Sequence, residues 1–115
     1  MSQYEIIFYE KEDKSEPARE FIDTLPDKAQ ARVSRIMNLL ENDGPDVGMP
    51  YSEYLQDGIF QIRVNQNGLF VRVLFFFFDG KKIVFTNGFL KKTNKTPINE
   101  IEKAKKYRAD YKNRK

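Results

Sequence analysis

The 115-residue chain contains no cysteine and no histidine. Those absences exclude disulfides, Cys/His zinc sites, thiol nucleophiles and any mechanism built on an imidazole base. Proton chemistry is left to Lys, Arg, Tyr, Asp or Glu. Long apolar runs are missing too. The longest, Leu69–Phe78, is interrupted by Arg72 and falls short of the roughly 18 residues of a membrane span. The polar opening Met1-Ser2-Gln3-Tyr4-Glu5 has no leader character, so the chain is expected in the cytosol, away from membranes. There is no internal repeat, low-complexity tract, phosphate-cradling glycine loop, nucleophile elbow or Asp-x-Asp cluster for a metal. What is present, 40% apolar and 32% charged residues in 13.6 kDa, fits one globular domain spanning residues 1–115.

The net charge of +3 conceals an asymmetry. Residues 1–80 carry eight Lys/Arg against fourteen Asp/Glu, net −6, whereas residues 81–115 carry twelve against three, net +9. A basic C-terminal third suggests a polyanionic partner on one face; a solvated lysine-rich helix is the alternative. The asymmetry alone does not separate nucleic acid from an acidic protein.

Tyr4–Tyr9 reads as a strand. Pro17 opens a short helix to about Thr24, with Ser15 or Glu16 placed to cap it. Pro26 starts a second helix, in which Ala29, Val33, Ile36, Met37 and Leu40 form one apolar stripe. Asn42-Asp43-Gly44-Pro45 ends it. Residues 46–57 read as loop, with an extended piece at Tyr51–Leu55. Phe60, Ile62 and Val64 alternate with Gln61 and Arg63, a half-buried strand. The turn signals Asn67-Gly68 and Asp79-Gly80 then bracket the two-sided apolar strand Leu69–Phe78, with Ile83–Phe89 as its return. Thr96 is placed to cap, and Pro97 to open, a last helix presenting Ile98, Ile101, Ala104, Arg108 and Tyr111 on one face. The expected fold is α+β, with helices on one face of an antiparallel sheet.

Three groups of residues are candidates for chemistry. Arg63 and Arg72 lie on strands that the Asn67-Gly68 turn sets side by side. An unpartnered buried guanidinium costs several kcal/mol, so Arg72 snorkels to water, pairs with an acid such as Glu53 or Asp57, or awaits an anion that its planar fork suits. Lys91, Lys92 and Lys95 follow the last strand, either as a phosphate-neutralising cluster or as a solvated loop. Tyr51, Tyr54, Tyr107 and Tyr111 are suited to stacking or proton transfer, or, for the last two, to helix packing.

In their order and spacing, Gly58-Ile59-Phe60-Gln61-Ile62-Arg63-Val64, Val71-Arg72-Val73-Leu74-Phe75-Phe76-Phe77, Asp79-Gly80, Gly88-Phe89-Leu90-Lys91-Lys92-Thr93 and Thr96-Pro97 with Glu100-Ile101 and Ala104 closely resemble the phage-derived, HigB-like branch of RelE/HigB-type toxins. The resemblance covers about residues 4–112. It implies a RelE-like antiparallel sheet packed against N-terminal helices with a C-terminal helix. It also implies a toxin of a type II toxin–antitoxin pair that cleaves mRNA on the ribosome without cofactor or metal. Its partner would be a small helix-turn-helix antitoxin, through which alone it would reach operator DNA. Carried over by position, Arg72 matches the arginine aimed at the scissile phosphate, and Lys91 and Lys92 match a charge-stabilising basic pair. Arg63 matches a basic RNA contact; Gln61, Lys95 and Tyr107 are further RNA-binding candidates, Tyr107 standing in for a tyrosine of some relatives. The chain departs from the family at Asn87, often His there, and at Gln61, often Glu. The alternatives are a non-catalytic binder of the same fold (a gyrase blocker or an inactive prophage remnant) and a plain RNA-binding module.

Overall fold

The computed structural model describes residues 3–114; Met1, Ser2 and Lys115, the ends of the expected 1–115 domain, lie outside the described residues. Elements follow the order β1 (Glu5–Phe8), α1 (Pro17–Asp23), α2 (Asp27–Asp43), a short 3-10 turn at Gly44–Asp46, β2 (Ser52–Gln56), β3 (Ile59–Gln66), β4 (Leu69–Phe78), β5 (Lys82–Leu90) and α3 (Ile98–Asn113). The five strands form one sheet ordered β1-β5-β4-β3-β2. The Cα radius of gyration, 13.2 Å, is that of a compact domain of this length.

Tight hairpins set the register from β2 to β4. At Asn67-Gly68, φ is 50° and 81°, and Asp57-Gly58 repeats the pattern at 51° and 81°. Two consecutive left-handed residues give the turn whose twist matches that of the flanking strands. The extended piece expected near Tyr51–Leu55 is the edge strand β2, antiparallel to β3. β1 departs from expectation, because it pairs parallel with β5, Glu5 opposite Lys82 and Phe8 opposite Phe85. The sheet is therefore mixed. The crossover through α1 and α2 carries the chain from β1 at one edge of the sheet to β2 at the other, so β1 meets β5 without the hairpin that would make the pair antiparallel.

The helices also cover both faces rather than one. On the first face Ala18, Leu25, Ala29, Val33, Ile36 and Leu40 of the α1–α2 region pack on Ile62, Val64, Val71, Val73, Phe75, Ile83 and Phe85. On the second, Ile101, Ala104 and Tyr111 of α3 pack on Ile59, Leu74, Phe76 and Val84. This explains why β4 is apolar on both sides. Ile98, assigned to the buried face of α3, is 61% exposed, being only the first residue of the helix. The expected caps are not used: Glu16 and Pro97 occupy the N-cap positions of α1 and α3 without side-chain cap hydrogen bonds.

A bulge in β5 decides what faces α3. Leu74 pairs with Asn87 but Phe75 with Phe85, which leaves Thr86 as an extra residue. A one-residue slip reverses the facing of everything beyond it. Asn87 and Phe89 thus join the α3 face, and Gly88 turns toward α1, where any Cβ would collide with the Phe21 ring.

Candidate phosphate-binding groove

β3 and β4 place Arg63 and Arg72 directly opposite one another. Both alternate with the buried residues Ile62, Val64, Val71 and Val73 of the first face, so both belong to the α3 face. There α3 packs over Leu74 and Phe76, and the turn-proximal end of β3 and β4, with Asn65, Phe70 and Arg72, lies beyond it. That end forms a groove of about 480 Å³ whose lining includes Asn65, Phe70, Arg72, Lys91, Lys92 and Asn94. Among the described residues, three cations and no carboxylate line it.

Arg72 is 2% exposed at the groove floor. Its Nη1 donates to Asn65 Oδ1 at 3.0 Å and to the Val71 carbonyl at 2.9 Å, while Nε has no hydrogen-bond partner among the described residues. The acids named as structural partners are engaged elsewhere. Glu53 sits 3.4 Å from Arg63 Nε and Asp57 sits 3.0 Å from Lys105. Among the described residues, therefore, Arg72 is held by neutral oxygens and not by an ion pair. Burial lowers its pKa, and Arg63 beside it adds to the effect, with Glu53 opposing. An arginine nonetheless remains charged. A buried guanidinium with a free donor and no counter-ion has high affinity for any anion that reaches it.

Lys91 is fixed over the groove by its backbone N–H, which donates to the Phe70 carbonyl at 2.7 Å. Its pKa is lowered by burial first, then by Arg72 and Arg63, with Glu53 in opposition. Lys92 is exposed on the same rim. Lys91 also lines an adjoining groove of about 270 Å³ together with Glu53, Tyr54, Gln61 and Lys95. Gln61 is 1% exposed; its Nε2 donates to Glu53 at 2.9 Å and its Oε1 accepts from Thr96 at 2.8 Å. It thereby clasps β2 and β3 to the entrance of α3, which is where the Thr96 hydroxyl goes instead of to a helix cap. Asn87 has a similar role, its Nδ2 donating to Glu100 Oε1 at 3.0 Å.

Of the residues singled out in the sequence, Arg72, Lys91 and Lys92 share one groove, Arg63 flanks it, and Gln61 and Lys95 lie in the adjoining one. Tyr107 is not brought to them. It stacks on Tyr9 with ring centroids 4.7 Å apart and lines a different groove with Lys11 and Asp110. Tyr111 packs edge-on to Phe76 and Phe78. Sequence reasoning missed Asn65 and Phe70. Asn65 lies just before the Asn67-Gly68 turn signal yet belongs to β3, which runs to Gln66, and Phe70 stands two residues from Arg72 on the same strand face.

No curated protein matches the sequence. The sequence model of the family described as phage derived protein Gp49-like (DUF891) matches residues 20–109, which include every residue of the groove, and the chain therefore belongs to that family.

Proposed function

We propose that this protein is the toxin of a type II toxin–antitoxin pair and that it acts as a metal-independent mRNA endoribonuclease, cutting RNA held on the ribosome and silenced by a small helix-turn-helix antitoxin. The phage-derived family supports a toxin-like protein in general. The observation that carries the finer reading is Arg72, a buried cation that among the described residues has an unpartnered Nε and no ion-paired carboxylate, set in a groove with Lys91 and Lys92.

In the proposed step the 2′-oxygen of one nucleotide attacks the adjacent phosphorus as the bond to the 5′-oxygen breaks, leaving a 2′,3′-cyclic phosphate and a 5′-hydroxyl. Arg72 and Lys91 neutralise the charge that grows on the phosphoryl oxygens, commonly the largest contribution in such sites. Water takes the proton from the 2′-hydroxyl and returns one to the departing 5′-oxygen, so Arg72, Lys91 and Lys92 stay charged throughout. With no imidazole in the chain, orientation of the mRNA by the ribosome supplies much of the rate, since positioning alone is worth several kcal/mol.

The test is inducible expression of wild type, Arg72→Gln and Lys91→Gln at matched levels, with transcript ends mapped after induction. Codon-linked cleavage with wild type and none with Arg72→Gln is expected. Growth arrest with intact transcripts and DNA damage would instead assign the fold to gyrase blocking, and cleavage by Arg72→Gln at the wild-type level would refute the role given to Arg72.

A further inference from the structure

Phe70 is 46% exposed although it belongs to the longest and otherwise most buried strand. It faces the same side as Arg72, two residues away, so the two Cα atoms are about 7 Å apart along the strand. The ring lines the cationic groove. Its cross-strand partner is Asn65, whose Oδ1 accepts from Arg72. That bond fixes the amide orientation and leaves Nδ2, among the described residues, with no hydrogen-bond acceptor. A flat aromatic face, a spare amide donor and a phosphate-seeking guanidinium thus stand side by side.

We infer that Phe70 is the stacking floor of a nucleobase subsite, in which an unpaired base of a single strand lies on the ring, its phosphate on Arg72 and Lys91, and an acceptor on its edge meets Asn65 Nδ2. The inference rests on the polyanion reading of the groove and adds to it a requirement for an unpaired base. Phosphate and base of one nucleotide are joined through a single sugar, so side chains two residues apart on one strand face are placed to meet both. Stacking on an aromatic side chain is sequence-tolerant and strong enough to matter. The three cations beside the ring favour a nucleic-acid strand over an apolar protein segment as its occupant.

The chain has no tryptophan, so Phe70→Trp introduces a single indole reporter at the subsite. The ligands are a single-stranded 2′-O-methyl RNA hexanucleotide, which lacks the attacking hydroxyl, and inorganic polyphosphate of matched charge. The hexanucleotide is expected to quench the Phe70→Trp emission and polyphosphate to leave it unchanged. Phe70→Ala and Phe70→Leu are expected to bind the hexanucleotide roughly tenfold more weakly with polyphosphate affinity within twofold of wild type, and Phe70→Tyr to restore binding. Wild-type hexanucleotide affinity in Phe70→Ala overturns the subsite alone and returns the exposed ring to a protein-contact role. Failure of the wild-type protein to bind either ligand overturns the phosphate reading beneath it.

Discussion

Arg72→Met is expected to stabilise the protein while removing the RNA cleavage proposed above. Methionine keeps much of the arginine stem and removes the charge. What is lost is two hydrogen bonds from a charged donor, to Asn65 and to the Val71 carbonyl, each worth about 1.5 kcal/mol net at the low end. Asn65 is exposed and finds water in its place, so roughly half of that loss is recovered. What is regained is the penalty for holding a cation at 2% exposure without a counter-ion, several kcal/mol for a buried ion, together with the repulsion from Arg63 that helps lower its pKa. The balance favours methionine by about 2 kcal/mol, within the range found when buried ionic groups give way to apolar ones. For a chain of this length that corresponds to a rise of roughly 8 °C in Tm. Urea unfolding followed by circular dichroism measures it, with the slope required to stay constant so that only stability has changed. A midpoint unchanged or lowered in Arg72→Met refutes the reasoning, because Arg72 would then be a structural keystone rather than a group kept for a ligand.

Four further expectations concern other parts of the molecule. Arg63→Gln removes one of the two cations that lower the Lys91 pKa; that pKa therefore rises, and NMR titration of the Lys91 Cε resonance should move its midpoint to higher pH. The Tyr9 phenol is pushed up to about 12 by burial and by its 2.6 Å hydrogen bond to Asp110. A raised folded pKa favours the protonated phenol, so this contribution is complete below pH 10 and fades as pH climbs toward about 12; Tyr9→Phe should cost about 1 kcal/mol at neutral pH and flatten that alkaline decline in urea midpoints. Leu40→Ala, at a site with no solvent exposure, should cost about 2–5 kcal/mol by the cavity it leaves, read from the same denaturation curves. Gly88→Ala drives a methyl into Phe21 and should cost about 1–3 kcal/mol; thermal melts at wild-type values would show that Phe21 has room to move.

The hairpin core was legible because its signals are local. Asn67-Gly68 and Asp79-Gly80 mark turns by their own conformational preferences, and the apolar stripe of α2 follows from helical spacing. The parallel entry of β1 was not, because nothing in Tyr4–Tyr9 records the direction of a partner nearly eighty residues away. Nor was the two-sided burial of the sheet, although the unbroken apolar run Val73–Phe78 carried that message once both helical layers were in view. At the site, Arg72 stood out as a charge in an apolar strand, and the loop placed Lys91 and Lys92 beside it. Asn65 and Phe70 did not stand out, since their significance lies in a cross-strand pair that only the register reveals. Tyr107, for which the sequence left both chemistry and helix packing open, is packed on Tyr9 by ring stacking.

The parallel pairing of β1 with β5 bears on how the protein is made. Glu5 leaves the ribosome early, yet its partner Lys82 emerges only after most of the described chain. At about 5–20 residues per second, the first strand waits several seconds for its place at the sheet edge. Over that interval Ile6, Ile7 and Phe8 have no β5 to dock on, and the groove has no Lys91. Joining strands so far apart in sequence also carries a loop-closure penalty that grows only slowly with length. An order of assembly in which the arginine groove is completed almost last keeps Arg72 from offering an anion site until most of the sheet around it has been made.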